Sequence, residues 1–407
     1  MSSVTLMRSA VSQTSEGRSQ RQIGERWVRV LSLVAVTVAT WMLCTLMGGT
    51  WMFVARDRHP HEALVEAGPI SLDYVFLALF ASVLLVPSLL GLLTQAARAN
   101  LGGREEHLAV LRLIGATAGE VRGMMILESL RQALVGLVLG SVLYVVTCPA
   151  WSLLTFQEKR VGAWEMFTWW VIPAAWIVVL VLAACSVWLA LRRVAVTPLG
   201  VTKKIPPKGQ SWITLVLSVV GAVVLYRALG SKNIAPGADA AEYAGMLVVA
   251  GGILTVNALI AVGIIQLLAR LSYGVPGAAN YVATRRVGRG AKTTWKRVTA
   301  LYFVAFIGGI GGWFSAVPEI DEEPALKMIA GDIPSGVAIT VVFAAVLLVS
   351  STLLTQALSV VEQKQLTKSF YFIGAPAAFH TKVAAREVGV PMLVVALLGF
   401  GMGRAKD

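Results

Sequence analysis

Nine apolar runs, each near the roughly 20 residues needed to cross a hydrocarbon core about 30 Å thick, set the limits on what this 407-residue chain can become. They lie at about 27–54, 71–97, 123–147, 168–191, 211–229, 245–269, 298–317, 334–361 and 387–403. A chain that is 57% hydrophobic and 14% charged has too little polar surface to hide these runs in a soluble domain, where charged residues make up roughly a quarter. Inside lipid every backbone group must find its partner within the segment, which a helix provides. The fold class is therefore all-α integral membrane, a polytopic bundle of about nine or ten transmembrane helices.

The net charge of +13 raises the question of nucleic acid. Placement answers it, because Lys and Arg in short loops mark the cytosolic side of a membrane protein. With the N-terminus inside, the cytosolic segments hold 25 of the 35 basic residues: five up to Arg29, four around 98–122, five at 192–208, seven at 270–297 and four at 362–386. The basic excess is positive-inside bias, and no nucleic-acid partner is expected. Cys44, Cys148 and Cys185 are odd in number and suggest neither a disulfide framework nor a metal site. Residues 1–26 are rich in Ser, Gln and Arg and read as a cytosolic tail rather than a cleaved signal.

One unit recurs. Leu92, Leu93, Thr94 and Gln95 return as Leu353, Leu354, Thr355 and Gln356, and Gly115, Ala116, Glu128 and Gly140 return as Gly374, Ala375, Glu387 and Gly399. The stretch starting at Trp295 also resembles the one starting at Trp27, so the repeat reaches into the first helix of each copy. The expected organisation is a first four-helix unit at 27–210, two linking helices at 211–270 and a second, truncated three-helix unit at 271–407. An even number of crossings separates the two starts, so the repeats run parallel, unlike the inverted repeats of many secondary transporters.

Between the second and third spans, Leu108 and Leu111 recur at helical spacing while Arg104, Glu105, Glu106 and Arg112 fill the other positions. That pattern predicts an amphipathic helix on the inner surface, ending at Gly115. A mixed-charge helix held between two spans can pass a push from a soluble partner into the bundle; the alternative is a solvated loop. In the second copy the charges are Glu362, Lys364 and Lys368, and Phe370, Tyr371 and Phe372 replace the Leu-Arg-Leu core. Glu128 and Glu387 admit two readings: carboxylates favoured by a helix N-terminus, or intramembrane switch groups pairing with Arg131 or Arg386.

Gly136 and Gly140, at GxxxG spacing, predict close approach of another helix. The Trp-rich stretch 148–170 suits the outer headgroup layer. His59 and His61 in the first external loop either help hold a metal or form a plain turn. Met42, Cys44, Met47, Trp51 and Met52 give the first helix a soft face, either pathway or core. The segment 288–294, GRGAKTT, lacks the Gly-Lys-Thr junction of a phosphate loop.

The run REEHLAVLRLIGAT, followed by Glu128 and a Gly-rich helix, resembles the signature of the FtsX-like permease family of ABC transporters. The resemblance is strongest over 76–145, continues into RRVAVTPLGV, and is weaker at 334–403; residues 281–306 are similar to a segment of actinobacterial ten-helix members, within the MacB- and BceB-like permeases. It implies a non-enzymatic permease subunit in a bacterial plasma membrane, with no cofactor on this chain and ATP with Mg bound by a separate cytosolic ATPase. Docking would fall on Arg104, Glu105, Glu106, Leu108, Leu111, Arg112, Gly115 and Ala116, and on Glu362, Lys364, Lys368, Gly374 and Ala375 in the second copy. The complex would be a homodimer or one chain with two ATPases. External loops of about 15–20 residues, short for the family, point to an amphipathic or hydrophobic substrate taken from the bilayer. An envelope-stress or antimicrobial-peptide sensor on the same fold is the alternative.

Overall fold

The computed structural model describes residues 3–68, 70–99, 118–194, 211–230, 239–314, 324–372 and 377–404, and side chains in the first helix from Arg26 onward. Its helices are α1 (Ser3–Arg58), α2 (Glu62–Ala67), α3 (Ser71–Ala99), α4 (Ala118–Thr147), α5 (Val171–Val194), α6 (Trp212–Gly230), α7 (Ala240–Leu271), α8 (Ala278–Arg289), α9 (Ala291–Phe314), α10 (Pro324–Phe372) and α11 (Ala377–Arg404). Each of the nine predicted spans falls on one of these helices. Five helical stretches among the described residues are long and apolar enough to cross a membrane: Arg26–Arg58, Ser71–Ala97, Ile126–Leu153, Ala240–Gly274 and Pro324–Leu358. Two apolar stretches, Val171–Ser186 and Trp212–Leu225, are shorter.

The bundle is built from two trios. In the first, α1 packs against α3 and α4; in the second, α9 packs against α10 and α11. The predicted glycine contact at 136 and 140 is present: a Cβ at Gly136 would sit 2.7 Å from Val36 Cγ1, and one at Gly140 2.6 Å from the Thr37 carbonyl oxygen. Gly399 makes the matching approach in the second trio, 2.6 Å from the Tyr302 carbonyl oxygen. At Gly140 and Gly399 the obstacle is backbone, so the two helices meet main chain to main chain there, while Gly136 makes room for the Val36 side chain.

The trios join along α3–α10 and α1–α10. Leu92, Leu93 and Leu354 share one core with Met42, Leu85, Phe343 and Leu347. The two LLTQ tetrads thus face each other, and Thr355 Oγ1 donates to Gln95 Oε1 at 2.6 Å with Ser351 Oγ 3.2 Å from Gln95 Nε2. Met42 and Cys44 are fully buried and Met52 is nearly so, so the soft face of α1 is core. α6 rests on α7, which reaches α3 and α9, and the short α8 lies between α7 and α11. Val135, Val138, Val142, Leu217, Val220 and Val224 remain exposed on α4 and α6, as lipid-facing positions do.

Candidate functional site

Arg104, Glu105, Glu106, Leu108, Leu111, Arg112, Gly115, Ala116, Gly374 and Ala375 lie outside the described residues. Glu362, Lys364 and Lys368 fall on the last turns of α10, which continues helical through them to Phe372, their side chains being outside the described set. What the structure does describe is the frame around this segment. α3 leads into it and α4 leads out of it, and both are packed on α1. Ser32 Oγ, buried on α1, donates to the Ala96 carbonyl near the end of α3 at 3.0 Å.

Glu128 and Glu387 each sit about three turns into their helices, α4 and α11, whereas the N-terminal dipole acts within the first turn. The dipole account is therefore too short-ranged for either. Glu128 is exposed. Glu387 is half-buried and pairs with Arg286 of α8 at 3.5 Å, a partner the sequence did not suggest.

The most developed polar arrangement lies at the opposite ends of the helices. The chain leaves α4 through a 3-10 turn, Cys148–Leu153, and enters a two-residue hairpin in which Thr155 pairs with Arg160 and Phe156 with Lys159. At its tip Gln157 and Glu158 take φ +58° and +59°. Such a turn normally selects Asn or Gly, and each non-Gly residue there costs on the order of 1 kcal/mol or more. The surroundings hold it in place. Arg56, 4% exposed at the end of α1, donates to the Phe156 carbonyl at 2.8 Å and to Gln157 Oε1 at 3.3 Å. Its remaining nitrogens grip Glu165 in a fork, Nε to Oε1 at 2.6 Å and Nη2 to Oε2 at 2.9 Å. Asp332 of α10 accepts from the Gln157 backbone N–H and from Tyr74 of α3, both at 2.7 Å. His61 Nε2 sits 2.8 Å from the Gln157 carbonyl, and Ser71 donates to Asp57 while Tyr243 of α7 donates to Asp73.

The inward-turned Phe156 and Gln157 of the hairpin are thus held directly from α1, from His61 at the start of α2 and from α10, and α3 and α7 join at one remove through Tyr74 and Asp73. Burial by itself pushes the Glu165 carboxyl upward, but the Arg56 bonds, the Gly162 N–H at 2.8 Å and the charges of Arg56 and Lys159 outweigh it. The carboxyl is held below its ordinary range, ionised and bonded. His61 bonds the hairpin through Nε2 rather than forming a plain solvated turn, and His59 is exposed. Of the aromatic stretch, Trp164 and Trp169 point outward as expected, while Phe156 is buried and Trp170 packs edge-on to Trp51 at 5.1 Å.

Sequence reasoning missed this clasp. Its signal was a set of ionisable residues where apolar segments begin and end: Arg56 closing α1, Asp73 opening α3, and Asp332 within α10.

Residues 78–199, spanning α3, the connecting segment, α4, the hairpin and α5, match the family model described as FtsX-like permease C-terminal. No curated protein and no solved structure matches the chain.

Proposed function

We propose, from the premise that this chain is an FtsX-like permease, that it is the membrane subunit of a bacterial plasma-membrane ABC transporter whose ATP and Mg are bound by a separate cytosolic ATPase. One observation carries the reading: the matched region brackets the charged segment 100–117 with α3 and α4, two helices seated on the same helix, α1. An ATPase docked on Arg104, Glu105, Glu106 and Arg112 shifts both helices against α1 in a single movement, and the α3–α10 contact carries that movement into the second trio. Glu362, Lys364 and Lys368 supply a second, divergent docking surface.

The substrate is amphipathic and is handled along the lipid-facing helix surfaces. The space lined by Val36, Leu93, Ala97, Ser129, Ala133, Val179 and Ala183, between α1, α3, α4 and α5, is about 10 Å³, roughly one water. A cargo of lipid size needs another route, and the exposed apolar faces of α4 and α5 offer one.

The test is reconstitution with candidate ABC ATPases from the same organism. ATP hydrolysis by the complex is expected to rise with an amphipathic substrate, and Arg112→Glu is expected to abolish both co-purification and stimulation. A stable complex in which Arg112→Glu and Glu106→Lys leave assembly and hydrolysis unchanged would overturn the docking assignment.

A further inference from the structure

α7, α8 and α11 enclose a cleft of about 60 Å³ on the basic side of the bundle, away from the clasp. Its walls are apolar, formed by Ile265 and Ala269 of α7, Val287 of α8, and Val390, Pro391 and Val394 of α11. Its polar lining is already committed. Ser272 Oγ donates to the Leu268 carbonyl, Thr284 Oγ1 to the Asn280 carbonyl, and Asn280 Nδ2 to the Ser272 and Val275 carbonyls. Arg386 at the rim differs: it is exposed, and no carboxylate among the described residues pairs with it.

The ligand class follows from what surrounds that guanidinium. Arg270, Arg285, Arg286 and Arg289 lie on the neighbouring α7 and α8, and the one carboxylate among the described residues of this patch, Glu387, pairs with Arg286. The patch is therefore in cationic excess. Below it, Val390, Leu393 and Leu397 follow Arg386 at steps of four, three and four along one side of α11, and all three are exposed, at 53%, 68% and 74%. From Arg386 to Leu397 this track runs about 16 Å, about half of a hydrocarbon core. The cleft as a whole has room for about four to six water-sized groups, enough to admit a phosphate with its oxygens beside Arg386.

We infer that this cleft is a binding site for one anionic phospholipid, its phosphate on Arg386 and one acyl chain along Val390, Leu393 and Leu397. A cationic head above a continuous apolar track fits a lipid better than a soluble phosphate, which has no use for the track, or an acidic protein segment, which would leave it bare. The inference rests on membrane insertion alone and stands whether or not an ATPase partner exists.

Native mass spectrometry of the full chain, with phosphatidylglycerol or phosphatidylcholine added to the detergent, tests it. One phosphatidylglycerol is expected to be retained about five-fold over phosphatidylcholine, the effect of one basic residue near a headgroup. Arg386→Ala is expected to remove the preference, Arg386→Lys to keep most of it, and Arg160→Ala, on the clasp side, to leave it intact. Equal retention of the two lipids, or an unchanged preference in Arg386→Ala, overturns the site. Displacement by millimolar glycerol phosphate overturns the acyl-chain half, and loss of lipid only on adding the ATPase would assign the rim to that partner instead.

Discussion

The two trios solve the same packing problem with different side chains. Around Gly136 and Gly140 the first trio fills its joint with small residues, Ala35, Ala39 and Thr40, and ties the helices with directed bonds such as Ser32 to Ala96 and Trp41 Nε1 to Thr147 Oγ1 at 2.9 Å. Around Gly399 the second trio uses rings: Tyr302 lies 5.3 Å from Trp295, 5.4 Å from Phe303 and 6.0 Å from Phe306. Both bring backbones into contact. The first reaches the hairpin through Arg56 at the end of its central helix, whereas the second reaches it through Asp332 of α10, away from the aromatic cluster that fills its joint. The close approach is thus set by glycine, Gly136 and Gly140 in the first crossing and Gly399 in the second, and the surrounding residues decide what the joint connects to.

Gly140→Leu and Gly399→Leu probe the shared feature and should cost most, toward the upper end of about 1–3 kcal/mol because the obstacle is backbone. Thermal unfolding in detergent should show two comparable losses, with Gly91→Leu, whose Cβ meets nothing within 4 Å, near wild type. A tolerated Gly399→Leu breaks the equivalence of the two joints.

Arg56→Ala separates the trios. It strips Glu165 of its fork and should cost about 2 kcal/mol, less than a fully buried pair because Glu165 is 24% exposed. Hydrogen exchange should loosen 150–170 and the end of α1 and leave α9 and α11 unchanged. The same pair sets a pH signature. Glu165 is held below its unfolded value, so its contribution is present above the ordinary carboxylate range and is lost as pH falls through the lower, folded value. Acid-induced loss of melting temperature should therefore be smaller in Arg56→Ala than in wild type.

The link between the trios is weaker. A double-mutant cycle on Gln95→Leu and Thr355→Val should give a coupling near about 0.6–1.7 kcal/mol, the range for hydrogen bonds between membrane helices; zero coupling would mean the tetrads touch without bonding. Smallest, and opposite in sign, is Glu158→Gly. Relieving one positive-φ residue should raise stability by about 0.5–1 kcal/mol, and a loss instead would show that the Glu158 side chain holds the hairpin.

Much of this was legible in sequence for a physical reason: the lipid solvent forces long apolar helices, so a helix could be placed at each of the nine apolar runs, five of them long and apolar enough to cross a membrane. The glycine seam was equally local. The clasp was not, because its partners lie far apart in the chain, Arg56 and Glu165 by 109 residues and Tyr74 and Asp332 by 258. A stretch such as 148–170 announces an affinity for the headgroup layer but not that Phe156 and Gln157 turn inward. The pairing of Glu387 with Arg286, 101 residues away, escaped for the same reason. The predicted docking residues at 104–116 rest on spacing and resemblance.

The hairpin has a mechanical meaning. α1, the start of α2 and α10 are pinned to a turn that is itself held against its own preference, with α3 and α7 tied in through Tyr74 and Asp73, whereas at the far end the described ties are single polar contacts and one long ion pair. A bundle fastened this unevenly is stiffest at the clasp, so the described helix ends farthest from it are those a sideways force would part first.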